Sequence, residues 1–255
     1  MKVPRPLFLS ILLLLIAGLA FGCQSAQDDS TGPKAVVERP TETPRPTETP
    51  APQREGGEAQ AFFAEEFDDP LSEDWTPFMI YDENSLTDPD RVKVQAEGGE
   101  LVWNLDTKDL AYYLFYKAYS YQDVKVETRV DNRGVNNNPV SLICRYDPDE
   151  GWYEFNIASN GLYNVYFMEI LGGGKFRYNR VVNGGSLAIK QGKGVNEYTA
   201  VCQGDSLTLY INGEKVASTK EVKYALSEGQ VGVGVASQNS VPVAIEMDWF
   251  RVSEP

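Results

Sequence analysis

Residues 139–167 read PVSLICRYDPDEGWYEFNIASNGLYNVYF, and their alternation decides the fold. Leu142, Cys144 and Tyr146 alternate with Ser141, Ile143 and Arg145. Tyr153, Phe155 and Ile157 alternate with Glu154, Asn156 and Ala158. A period of two marks a strand with one buried face. Asp147-Pro148-Asp149-Glu150-Gly151 reverses the chain between the two runs. Asn160-Gly161 then predicts a type I′ hairpin turn, because such a turn needs positive φ at both central residues. A third strand follows from Leu162 to Met168. The stretch is thus an antiparallel meander. One face is apolar and belongs in a core; the other carries Arg145, Glu154 and Asn156.

The pattern extends outward from there. Ala61–Phe67, Val92–Gln95, Leu101–Asn104, Leu110–Tyr116 and Gln122–Val130 read as strands on the N-terminal side, with Trp75 packing over the end of the core. Lys175–Val182, Glu197–Gln203, Ser206–Ile211, Lys215–Ser218 and Val243–Val252 read as strands on the C-terminal side. Ser186–Ile189 suits a short strand or one helical turn. Val231, Val233 and Val235 alternate with small residues, which lets another sheet or a loop approach closely. On the last strand Ile245, Met247 and Trp249 are expected to face the core, with Glu246, Asp248 and Phe250 opposite. Roughly a dozen strands without helices predict an all-β, two-sheet antiparallel sandwich over residues 60–255.

The N-terminus has a different character. Lys2 and Arg5 precede an apolar run from Leu7 to Phe21, the architecture of an export signal. The run is short for a membrane span, which needs roughly 20 residues. Leu19-Ala20-Phe21-Gly22-Cys23 resembles the bacterial lipobox, which implies a signal peptide over 1–22 and lipidation at Cys23. Two or more acyl chains there would give stable membrane attachment. Residues 23–59 repeat Pro-Thr-Glu-Thr-Pro at 40–44 and 46–50 and hold too little apolar surface for a core, so they read as a disordered tether.

The chain carries a net charge of −14 and no histidine. The acidity excludes nucleic acid as a partner, since phosphate needs a basic footprint. The missing histidine excludes His-dependent triads and His-ligated zinc. Cys144 and Cys202 lie mid-strand in an exported chain, where a disulfide and a pair of buried thiols are both open to them.

The order LICRY, WYEFNI, AVCQGDSLTLYINGEKVA, GQVGVGV and IEMDWFRV resembles the concanavalin A-like (laminin-G-like) jelly roll. It is similar in particular to the extracytoplasmic bacterial domains of the 3-keto-disaccharide hydrolase type or of unknown function. The resemblance implies a glycan as partner and a ligand groove on the concave sheet face. Arg145, Trp152, Glu154, Asn156, Tyr163 and Tyr210 are the candidate ligand residues, with Lys125, Glu127, Arg129, Thr208, Tyr113 and Tyr116 beside them. Planar polar groups and aromatic rings suit a pyranose, which offers both hydroxyls and an apolar face.

Glu246 and Asp248 invite a glucanase reading, but the third carboxylate of that pattern is missing, and Phe250 and Arg251 stand in its region. Asp69 and Asp248 are weighed instead as oxygen donors to a structural Ca²⁺; no other cofactor is expected. The sequence reading therefore favours a membrane-anchored, non-catalytic glycan-binding or adhesion module. The alternatives are an enzyme on a sugar or 3-keto-disaccharide, and a structural or protein-interaction domain.

Overall fold

The computed structural model describes residues 60–82 and 86–255. The expected signal peptide, the lipidation site at Cys23 and the tether lie outside them. Fifteen strands follow in order: β1 (Phe63–Glu65), β2 (Trp75–Tyr81), β3 (Val92–Glu97), β4 (Glu100–Leu105), β5 (Leu110–Tyr121), β6 (Val124–Asn132), β7 (Pro139–Asp147), β8 (Gly151–Ala158), β9 (Leu162–Gly172), β10 (Lys175–Gly185), β11 (Val195–Gln203), β12 (Ser206–Ile211), β13 (Glu214–Lys220), β14 (Gly229–Ala236) and β15 (Val243–Ser253). A 3₁₀ turn, Pro89–Arg91, precedes β3.

The strands form two antiparallel sheets, giving an all-β jelly-roll sandwich. One sheet runs β13-β12-β11-β6-β15-β4-β3, with β1 also on β15; the other runs β10-β9-β8-β7-β14-β5-β2. Between them Leu142, Phe155, Ile157 and Val233 from the seven-stranded sheet meet Val124, Ala200, Leu209 and Ile245 from the eight-stranded one. Each large apolar side chain buried there contributes about 1.5–3 kcal/mol. Cys144 on β7 and Cys202 on β11 are joined by a disulfide across this core, with Cα atoms 6.6 Å apart. It closes a loop of 58 residues, worth about 4 kcal/mol in the chain-entropy account.

Several local expectations are corrected. The first strand has only three residues, and Trp75 opens a full strand, β2. Ser186–Ile189 is a turn. At Asn160-Gly161 only the glycine has positive φ, +92°, and Ala158 pairs with Leu162. The loop therefore has three residues, ending in a glycine in the left-handed region, and is not a two-residue type I′ turn. The second Asn-Gly, at 212–213, has positive φ at both residues and does close a two-residue turn between Ile211 and Glu214.

Two bulges alter which side chains face inward. Opposite β14, Gln230 pairs with Tyr146 and Gly232 with Ile143, so Cys144 and Arg145 together face Val231. Arg145 takes φ +55° at this bulge. On β15, Met247 pairs with Val130 and Trp249 with Arg129, leaving Asp248 as the extra residue. Phe250 is thereby turned into the core and Trp249 out of it. An extra residue in a strand reverses the parity of everything beyond it.

Candidate functional site

The outer face of the seven-stranded sheet, away from the sandwich core, carries a second aromatic layer. Tyr113, Phe115, Ile143, Trp152 and Met168 are buried there, with Phe78, Ile80, Tyr146, Ile170 and Phe176 packed against them. Strands β2 and β10 are the opposite edges of this sheet. In a flat sheet six strand spacings would separate them by roughly 29 Å. Yet the rings of Phe78 on β2 and Phe176 on β10 have centroids 5.7 Å apart. The sheet is therefore rolled, and its outer face lines the inside of the roll. Trp152 is 0% exposed although it does not lie between the sheets.

Two glycines make this layer fit. A Cβ on Gly234 would lie 2.3 Å from the Tyr113 ring, and one on Gly232 would meet Leu114 O at 2.6 Å and the Phe115 ring at 3.0 Å. The small residues of β14 thus leave room for the rings of β5 to lie across it. The close neighbour is the adjacent strand of the same sheet, not another sheet or a loop.

At the centre of the layer is Glu154, 1% exposed. Ser141 Oγ and Asn156 Nδ2 donate to one carboxylate oxygen at 2.7 and 3.1 Å. Tyr113 Oη and Trp152 Nε1 donate to the other at 3.1 and 3.2 Å. Burial pushes the carboxyl above the usual carboxylate range, although the four bonds favour the charged form. Tyr113 is also held well above its ordinary value, first by burial and then by the Glu154 charge. Its hydroxyl lies 3.3 Å from that of Tyr178 on β10. Tyr178 is 48% exposed and lines a cleft of about 640 Å³, together with Phe176, Ala111, Asp82, Asp109 and Gln238.

The candidate residues are dispersed. Trp152, Glu154 and Asn156 share this layer, with Tyr113. Arg145 does not join them. The bulge turns its guanidinium to the carbonyls of Gln122 (2.8 and 3.0 Å) and Leu226 (2.7 Å), and it is 3% exposed. Tyr163 and Tyr116 belong to the sandwich core; their hydroxyls bond Val216 O and Gln60 O, both at 3.1 Å. Tyr210 and Thr208 lie on the eight-stranded sheet, as do Lys125, Glu127 and Arg129, so a single face cannot hold the whole set.

Asp248 is paired with Arg129, and Glu246 accepts from Arg133 at 2.7 Å. Both carboxylates of that strand thus have arginine partners. Asp69 is exposed, and among the described residues no three His, Cys, Asp or Glu side chains gather to hold a metal. The residues that sequence reasoning passes over are Ser141 and Tyr178. Ser141 is legible only as the outward neighbour of Leu142. Tyr178 reaches Tyr113, the neighbour of Glu154, only because the sheet rolls.

No protein-family model matches the chain, and no curated protein sequence matches it. Its likeness is to solved structures. A glycoside hydrolase family 16 endo-glucanase from Bacteroides ovatus superposes with a TM-score of 0.52 at 14% identity, covering 75% of this chain and 99% of that one. A Bacillus licheniformis β-glucanase gives 0.52 at 13% identity, covering 78% and 100%. A family 66 carbohydrate-binding module from Bacillus subtilis gives 0.47 at 15% identity, covering 69% and 92%. The two glucanase likenesses show the concanavalin A-like jelly-roll fold. The leaning away from an enzyme is corrected by them. Glucanases are among the similar structures, so the fold supplies no ground for ranking catalysis below binding.

Proposed function

We propose that the chain is a lipid-anchored extracytoplasmic protein whose jelly roll processes a glycan at the rolled face of its seven-stranded sheet, with Glu154 as the acid–base group. One observation carries the reading. A carboxyl group is buried outside the sandwich core, among aromatic rings, and burial holds it above its usual range. General acid catalysis at neutral pH calls for such a carboxyl. The cleft beside it offers the Phe176 and Tyr178 rings and the polar groups of Asp82, Asp109 and Gln238, which suits a sugar's two kinds of surface. The glucanases of the same fold fit the substrate class.

The four groups bonded to Glu154 are Ser, Asn, Tyr and Trp, with no carboxylate among them. Classical glycoside hydrolysis uses two carboxyl groups. A 3-keto-disaccharide needs less, because its carbonyl acidifies the neighbouring C–H and one acid–base group can serve. That substrate is the finer form of the proposal. The test is release of monosaccharide from 3-keto-disaccharides and of reducing ends from β-glucans by the full chain. Glu154→Gln is expected to lower turnover by about 10²-fold or more. Unchanged turnover in the variant would remove Glu154 from the chemistry, and no turnover by the native chain on either class would remove the reading.

The lipid anchor rests on the export signal and the lipobox-like Cys23. The Cys144–Cys202 disulfide suits the oxidising compartment it implies. Cys23→Ser should move the chain from the membrane to the soluble fraction; retention in the membrane would argue for a different attachment.

A further inference from the structure

Glu154 cannot itself touch a ligand in the cleft. It is 1% exposed, and both of its oxygens are already bonded by side chains of β5, β7 and β8. One line of polar atoms nevertheless leads outward from it. Tyr113 Oη is 3.1 Å from the carboxylate, Tyr178 Oη is 3.3 Å from Tyr113 Oη, and Tyr178 lines the open cleft. Trp152 and Asn156 have only N–H groups to offer Glu154 and cannot pass a proton on. The hydroxyls can, because each both donates and accepts, and either tyrosine can be the donor in the Tyr113–Tyr178 bond.

We propose that Tyr113 and Tyr178 form a proton relay between Glu154 and the ligand in the cleft, with Tyr178 as the group that touches substrate. The inference rests on the acid–base reading of Glu154. In the forward step the Glu154 O–H bond breaks and its proton goes to Tyr113 Oη. Tyr113 gives its own proton to Tyr178 Oη, and Tyr178 gives its own to the ligand oxygen. The carboxyl becomes a carboxylate, the ligand oxygen gains one proton, and both tyrosines end neutral as they began. Neither tyrosine need ionise on its own, which matters because burial holds both above the ordinary phenol value. The return step reverses every hydrogen bond. The groups facing this line are Ser141 from β7, Trp152 and Asn156 from β8, and Tyr166 from β9, whose ring centroid is 5.3 Å from that of Tyr178. These side chains are uncharged; the charged groups that share the cleft with Tyr178 are Asp82, Asp109 and Lys175.

The test follows the Glu154 proton directly and needs no substrate. The full chain is mixed rapidly into D₂O, and the carbonyl infrared band of protonated Glu154, assigned by its loss in Glu154→Gln, reports exchange. Tyr178→Phe is expected to slow exchange about tenfold or more. Tyr113→Phe, which keeps the ring in its slot, should do the same, and Tyr166→Phe should change nothing. If Tyr178 were only a latch on the roll, its loss would admit water and speed exchange. Faster or unchanged exchange in Tyr178→Phe therefore overturns the relay. It would leave the role of Glu154 to be judged by the turnover of Glu154→Gln. Absence of the band in the native chain throughout the folded pH range would overturn both.

Discussion

On the outer face of the eight-stranded sheet, Arg129 meets Asp248, Arg133 meets Asp131 and Glu246, and Lys125 meets Glu127. On the outer face of the seven-stranded sheet, Glu154 is met by Ser, Asn, Tyr and Trp in an aromatic layer. Both faces arise from the same alternation of inward and outward residues. They differ in curvature and in glycine. The eight-stranded face is a solvated ladder of cross-strand ion pairs, each worth at most about 1 kcal/mol. The other rolls over onto itself, with Gly232 and Gly234 leaving space for the rings of β5, and so becomes a second core outside the first. A carboxylate on the first face is ordinary. One on the second is desolvated, and such displaced acid–base behaviour is what a reaction site requires.

The sharpest way to break this contrast uses two tryptophans that both point away from the sandwich core. Trp152 is 0% exposed inside the roll. Trp249 lies on the eight-stranded face under Arg251, 4.1 Å from the guanidinium carbon to the ring centroid. Trp152→Ala should cost about 3–5 kcal/mol in chemical denaturation, as expected of a large core deletion. Trp249→Ala should cost about 0.5–1 kcal/mol, the worth of an exposed cation–π contact. Equal losses would mean that the aromatic layer is no core.

The sequence carried the sandwich because fourteen of its elements announce themselves by alternation or by turn residues; β2 is the exception. Pro77 interrupts β2, and its buried, part-buried and exposed positions do not alternate cleanly, as befits an edge strand. The site was legible only where it lies on one strand. Trp152, Glu154 and Asn156 are two residues apart on β8 and share a face by geometry alone. Arg145 and Phe250 were misplaced because each follows the start of a bulge, and such a bulge has no residue signature that fixes its position. Tyr178 was invisible for another reason. It lies at the far edge of the sheet from Tyr113, and only the roll brings their hydroxyls together. Curvature is a property of the whole sheet, and no local pattern records it.

A gentler test compares two buried glutamates with opposite surroundings. At Glu154, burial dominates and raises the carboxyl. At Glu221, burial also pushes upward, but Tyr153 Oη and the backbone N–H groups of Lys223, Tyr224 and Ala225 outweigh it and hold the carboxyl below its usual value. At low pH Glu154 is protonated in both folded and unfolded chain and adds nothing to the pH dependence. As pH rises through the ordinary carboxylate range toward the raised folded value, the unfolded chain gives up its proton first, and stability falls by at most about 1.4 kcal/mol per pH unit. Above the folded value the loss is complete and the curve is flat. Glu221 runs the other way. Its contribution is fully present above the ordinary range and is lost as pH falls from that range through the depressed folded value. Urea denaturation across pH should therefore show Glu154→Gln removing a decline on the alkaline side of the carboxylate range, and Glu221→Gln removing a decline on its acid side. A decline that survives in Glu154→Gln would place the desolvated carboxyl elsewhere. The rolled face would then be an aromatic core in which Glu154 is a satisfied polar group and no more.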